Sequence, residues 1–372
     1  MKNSTARLFF IFSLLAFFIA SNLNAQVGTE FWFVAPEVTS DHGDTPVTFR
    51  ITSFDQPATV TFSMPATGFS KTISVPANSQ VKYEGPTDQT FIDLIENRPA
   101  NSVLDKGILI TSDQDISVYY DVITNNNNPD KFTLKGDNAL GTEFFVPSQD
   151  GFDNHDFSNN PARERVDIVA TQDNTEITII PSDDVIGHAK GETITITLNR
   201  GQTYSVVATQ AGESYSRHLG GTSISSSAPV AVTISDDSIE RIDNPGHWDL
   251  IGDQLIPTDV IGTEYIAMNT TFGEGIKSDQ KVYILATEDN TFVQVNNDPN
   301  KERTLSRGEL YSISIEGSNA AYITSDKPVY AYQVTGVPLA AIARPPMEPN
   351  WEVPFCQPFP VPAQPASRLP EF

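Results

Sequence analysis

"VDIVATQDNTEITII", Val166 to Ile180, carries two runs of alternating apolar and polar residues on either side of Asp173 and Asn174. Alternation at a period of two places one set of side chains on a single face, and an Asp-Asn pair suits the left-handed conformations of a tight turn, so the stretch predicts a β-hairpin. The same hairpin is written again as "VYILATEDNTFVQV", Val282 to Val295, and in a worn form as "VTFRITSFDQPATVTFSM", Val47 to Met64, with Asp55 at the turn.

Working outward, each hairpin is preceded by a Gly-Thr-Glu-aromatic segment: "VGTEFWFVA" from Val27, "LGTEFFVPS" from Leu140 and "IGTEYIAMN" from Ile261, about 115 residues apart. Each is followed by a glycine-turn segment. "ITITLNRGQTYSVV" from Ile194 aligns Leu198, Gly201 and Tyr204 with Leu305, Gly308 and Tyr311 of "RTLSRGELYSISI", while "ISVPANSQVKYE" from Ile73 puts Asn78 in the glycine's place. Asparagine tolerates positive φ better than most residues, so a left-handed turn is predicted at all three. Each copy closes on two strands around a polar corner: "GILITSDQDISVYYDV" from Gly107, "GTSISSSAPVAVTIS" from Gly221 and "AAYITSDKPVYAYQV" from Ala320, with Pro229 and Pro328 opening the second strand. The one helix-like stretch is "TFIDLIENR" from Thr90.

Short alternating strands with frequent turn signals predict an all-β fold of three tandem homologous β-sandwich-like repeats. The alternative is a single six-bladed β-propeller with the strands grouped in fours. The expected division is a signal peptide at 1–25, repeats at 26–137, 138–258 and 259–337, and a proline-rich tail at 338–372. "TNNNNPDKFTLKGDNAL" from Thr124 and "DDSIERIDNPGHWDLIGDQLIPTDV" from Asp236 join the repeats. Their polar composition predicts exposed loops, either ligand-contacting segments of the kind such folds often use or plain spacers. "NWEVPFCQPFPVPAQPASRLPEF" from Asn350 lacks alternation and predicts an extended tail.

In their order, "LGTEFFVPS", "VDIVATQDNTEITI", "LNRGQTYSV", "TSISSSAPVAVTIS", "WDLIGDQLIPTDVIGTEY" from Trp248 and "AYITSDKPVYAYQ" resemble the IgGFc-binding protein N-terminal domain family. That family occurs in mucus-associated animal proteins and in exported bacterial ones. The resemblance implies extracellular display, mucus or matrix association, and binding of proteins or glycans without chemistry. The chain, identified as an exported bacterial member, departs from the animal pattern in lacking paired cysteines, so disulfide-supported features do not carry over.

Lys2 and Arg7 precede an apolar run from Leu8 to Ala20 and a small residue at Ala25, the pattern of a secretory signal peptide cleaved before Gln26. The run is too short for a comfortable membrane span, so export without membrane insertion is expected. A formal charge of −24 repels polyphosphate and anionic lipid, which argues against nucleic acid and membrane partners. Cys356 is the single cysteine, so burial rather than disulfide bonding holds the core.

Histidines 42, 155, 188, 218 and 247 are scattered without metal-ligand spacing, and no Gly-x-Ser-x-Gly elbow occurs. Glu30, Glu143 and Glu264 recur in every copy, which favours a structural role such as accepting a backbone N–H at a strand edge. Asp150, Asp153 and Asp156 in "SQDGFDNHDFSNN" read as a solvated loop, with calcium as the alternative. Phe31, Trp32, Phe144, Phe145 and Tyr265 flank the first strand of each copy and are expected in the core.

The sequence thus names no catalytic, cofactor-binding or metal residue. It predicts a secreted or cell-surface binding or adhesion module, not an enzyme, that recognises an extracellular protein or mucin-like glycan through its joint loops. The alternatives are a carbohydrate-active enzyme with an unrecognised carboxylate pair and a structural spacer within a larger surface protein.

Overall fold

Each alternating stretch is a strand in the computed structural model, which describes residues 26–39, 47–85, 89–122, 130–155, 161–209, 217–241, 244–269, 280–315, 320–334 and 357–358. The leader at 1–25 and all of the tail except 357–358 lie outside the described residues, as do His42 and Asp156.

A first block of strands contains β1 (Gly28–Phe33), β2 (Val47–Ser53), β3 (Ala58–Met64), β4 (Phe69–Val75), β5 (Gln80–Tyr83), the short helix α1 (Gln89–Ile95), β6 (Ile108–Val122) and β7 (Asp130–Thr133). The second contains β8 (Gly141–Phe145), β9 (Asp153–Asn154), β10 (Glu164–Ala170), β11 (Thr175–Ile180), β12 (Ile194–Leu198), β13 (Thr203–Val207), β14 (Ser223–Arg241) and β15 (Asn244–Gln254). The third contains β16 (Glu264–Met268), β17 (Lys281–Ala286), β18 (Thr291–Val295), β19 (Glu302–Leu305), β20 (Leu310–Ser314), β21 (Ala320–Ser325) and β22 (Val329–Val334), followed by β23 (Gln357–Pro358).

The chain is all-β, and its strand order is not the sequential meander of a propeller blade. The first sheet runs β4-β3-β6-β2-β5 and the second runs β12-β11-β14-β10-β13, in the same order. One long strand serves both halves of each sheet. The early part of β6 pairs with β1 and β3, and its later part with β2 and β7. We call these the front and back halves. The sheet folds over at the polar corner, and the inward residues of both halves, among them Phe31, Phe33, Phe49, Phe62 and Tyr120, share one core. In the third block the corresponding strand is interrupted, giving a front sheet β16-β21-β18-β19 and a back sheet β20-β17-β22-β23. The polar corners of the first two blocks therefore lie inside continuous strands rather than between separate ones, and Pro229 lies within β14 beside its register shift against β8.

The turn residues behave as their chemistry dictates. Asn78, Gly201 and Gly308 have φ values of 51°, 81° and 78°, and the hairpin residues Asn174 and Asn290 have 55° and 56°.

The described parts of the joints depart from expectation, because Asp130–Thr133 and Asn244–Gln254 are strands with buried apolar residues rather than exposed loops. β7 and β15 are hydrogen-bonded to β6 and β14, with Phe132, Leu134, Leu250 and Leu255 buried. Polar joint composition hides apolar residues spaced to cover a neighbouring core.

Front faces meet back faces between successive blocks. Trp32, Val34 and Leu109 of the first pack on Val169 and Ala231 of the second. At the next seam Phe145 shares a core with Tyr283, Leu285 and Tyr330. The Arg200 guanidinium stacks over Trp32 at 5.0 Å from the ring centre, and Arg307 over Phe145 at 4.9 Å. Each seam also brings two glycines together: a Cβ on Gly107 would lie 2.6 Å from the Gly201 carbonyl oxygen, and one on Gly221 would lie 2.4 Å from that of Gly308.

Gly221→Ala should thus lower stability by more than about 2 kcal/mol, combining overpacking with strain at a φ of +91°. Gly68→Ala, at φ +76° with nothing within 4 Å of the added methyl, isolates the backbone share. Equal shifts in the urea midpoints of the two variants would contradict a tight seam.

Candidate functional site

β10 is buried along its whole length because it lies between two blocks. Val166, Ile168 and Ala170 face its own core, which leaves Arg165, Asp167 and Val169 directed at the first block. Arg165 donates from Nε to Asp167 at 2.9 Å, from Nη1 to Glu37 at 2.8 Å, and from Nη2 to the Asn97 carbonyl at 2.6 Å and Ser205 Oγ at 2.8 Å. Asn97, just beyond α1, donates to Asp167 at 2.8 Å and accepts from Thr203 at 2.7 Å. Burial pushes the Asp167 carboxyl up, and Arg165 opposes it. Burial alone would weaken the Arg165 cation, but Asp167 and Glu37 more than restore it. A cavity of about 230 Å³ opens beside this network, lined by Glu37, Thr39, Arg163, Arg165 and Asp237 among others.

A second polar knot binds the two joints. Lys135, following β7, is buried and donates to Asp253 Oδ2 at 2.6 Å and to the Gln254 carbonyl at 2.6 Å. Asp253 Oδ1 accepts the Thr133 amide at 2.9 Å, and Gln254 donates to the Trp32 carbonyl at 2.6 Å.

The third cluster lies inside the second block. Glu164 on β10, Asp236 on β14 and His218 bring one ligand atom each within 4.8 Å of one another. Their separation in sequence, 54 residues and 18 residues, left no motif to find. Glu164 Oε2 accepts the Leu219 amide at 2.8 Å and lies 3.3 Å from His218 Nδ1. Asp236 accepts from Gln149 at 2.8 Å and Asn154 at 2.6 Å. Burial alone would lower the His218 pKa, but the hydrogen bond to Glu164 and the charges of Asp236, Glu164 and Asp153 raise it to about 9. Burial and the neighbouring Glu164 push Asp236 up to about 7. The donor set could hold a divalent cation, yet each carboxylate already has a donor, and the imidazolium supplies the positive charge that a metal would bring.

Both shifts favour protonation of the folded state, so the cluster's stabilisation falls as pH rises. The His218 share is complete below about 6.5 and lost through about 9, and the Asp236 share is lost between about 3.8 and 7. Thermal midpoints of the protein should decline from pH 6.5 to 9, and His218→Asn should flatten that decline. Parallel profiles for the two proteins would remove the cluster from the account.

The residues singled out in sequence separate into distinct places. Glu30 accepts from the Trp32 indole at 2.9 Å and Glu264 from the Tyr322 hydroxyl at 3.2 Å, so these acids hold outer-face aromatics rather than backbone amides. Glu143 lines a cavity of about 420 Å³ between the second and third blocks, with Phe145, Asp289 and Arg307. Phe31, Phe144 and Tyr265 are core residues, whereas Trp32 and Phe145 fill the seams. In the 148–155 segment Asp150 is exposed, while Gln149 pins the loop by accepting the amides of Gly151 and Phe152. His155 stacks on Trp248 at 4.2 Å, and His188 pairs with the exposed Glu192 at 2.8 Å. Among the described residues no helix is long and apolar enough to cross a membrane.

Antiparallel β-blocks packed front to back, with buried charge networks between the first and second, define an all-β protein. Residues 130–339, more than half of the chain, match the family described as IgGFc binding protein, and the chain belongs to that family. No curated protein matches it, and no solved structure does.

Proposed function

We propose that this protein is an exported, extracellular binding scaffold of three tandem units, at 26–137, 138–258 and 259–337, which recognises a protein or mucin-type glycan and carries out no chemistry. The family match over 130–339 carries the reading. The arrangement of acids supports it over a glycosidase: Glu164 and Asp236 are buried and already hydrogen-bonded, not set across an open cleft. Among the described residues the joints are largely buried, so the surfaces that favour a ligand there are the seam cavities and the exposed outer faces.

The test is an array of immunoglobulin Fc, mucins and mucin-type glycans probed with the chain lacking residues 1–25. Saturable binding at micromolar or lower concentration is expected for one class. Absence of binding across the array, or release of reducing sugar from any glycan on it, would overturn the proposal.

A further inference from the structure

Front-on-back packing occurs twice among the described residues, and among them one front face and one back face have no block against them. Register identifies the residues on the free front face. Trp32 pairs with Leu109, Phe145 with Ser223 and Ile266 with Tyr322 across the equivalent strands. Trp32 and Phe145 are 2% and 5% exposed, whereas Ile266, Met268 and Tyr322 are 61%, 64% and 37% exposed. An apolar docking surface is therefore present on the third block and uncovered.

The free back face belongs to the first block. The positions that in β17 and β22 are Tyr283, Leu285 and Tyr330 are Arg50, Thr52 and Ser117 in β2 and β6. Exposed Lys82, and Lys131 stacked over Tyr119 at 5.8 Å, leave an excess of positive charge on this surface, where Arg50 is ion-paired with the buried Asp121. Glu264 and Glu302 stand beside the free front face, so the two surfaces are complementary in charge.

The turns match as well. A face with an aromatic ring, Trp32 or Phe145, receives an Arg-Gly turn. The free front face has Ile266 in place of the ring, and the remaining turn is Ala77-Asn78, without an arginine. A further Arg-Gly turn would find isoleucine rather than a ring at the position of Trp32 and Phe145, and Ala77 suits an isoleucine. Ala320 and Asn78 also replace the paired glycines of the internal seams, so this contact lacks their close backbone approach and is weaker than they are.

We infer that the open front face of the third block docks on the basic back face of the first block of a second copy, in the front-on-back geometry of the internal seams. Such a contact uses two different surfaces and need not close, so it builds linear head-to-tail assemblies. It does not depend on which ligand the scaffold binds.

Sedimentation of the chain from about 1 to 300 μM tests this, a range that brackets weak specific association. The average mass should rise past that of a dimer, and added salt should reduce it. Ile266→Asp with Met268→Asp should weaken association at least about tenfold, as should Lys82→Glu. Ile180→Asp, at a 42% exposed site on the second block, should leave it unchanged. Oxidation of Met268 by peroxide should slow as the assemblies form, independently of any substitution. A monomer throughout the range would overturn the inference. Association indifferent to Ile266 and Met268 would do the same, as would association that stops at a dimer and ignores Lys82, which would mean that two front faces meet. Any of these results leaves the array experiment unaffected.

Discussion

Arg165→Met is expected to lower stability by about 3–5 kcal/mol, because it leaves Asp167 buried without its cation and strips a donor from Glu37, Asn97 and Ser205 at once. Arg165→Met combined with Asp167→Leu should lose less than the sum of the single changes, since the stranded charge is gone and only hydrogen-bond partners remain unsatisfied. Urea unfolding followed by tryptophan fluorescence, in a background where Trp248 and Trp351 are changed to phenylalanine, reports on this seam, because Trp32 lies between the first and second blocks. A loss below about 1 kcal/mol would mean that the network is incidental to the packing around it.

Lys135→Met should cost a similar amount, about 3–5 kcal/mol, by stranding Asp253 between the joints. Burial already pushes the Asp253 carboxyl up, and Lys135 is the chief opposing influence. Without the lysine that carboxyl titrates higher still, so the folded variant takes up a proton more readily than the unfolded chain. The deficit should therefore shrink as pH falls from 8 to 5. A pH-independent deficit would show that the lost hydrogen bonds, not the unpaired charge, dominate.

The strands were legible because their alternation records a single buried face. In β3 and β11 inward residues are buried and outward ones are not, as period two demands. The turns were equally legible, since asparagine and glycine mark positive φ directly. The joints misled because their asparagines and aspartates suggest solvent, whereas Lys135 and Asp253 neutralise each other in the interior. Only the charge pairing of residues more than a hundred positions apart makes that burial tolerable, and pairing at such distance leaves no local pattern. Glu164, His218 and Asp236, 54 and 18 positions apart in turn, likewise leave no local pattern. A signal for the seams did exist in the outward positions of β10 and β17. Val169, Tyr283 and Leu285 are apolar where a solvent-facing strand would be polar, and they mark a face that another block covers.

β7 and β15 bear on how the molecule responds to damage. Each is hydrogen-bonded along a neighbouring long strand, and the Lys135 and Gln254 side chains connect the two joints and Trp32. Scission of the backbone within a joint would cut a covalent tether whose ends are both still anchored. The fragments would stay in one particle until a denaturant released them, so in a protease-rich setting the scaffold would outlast the integrity of its own polypeptide.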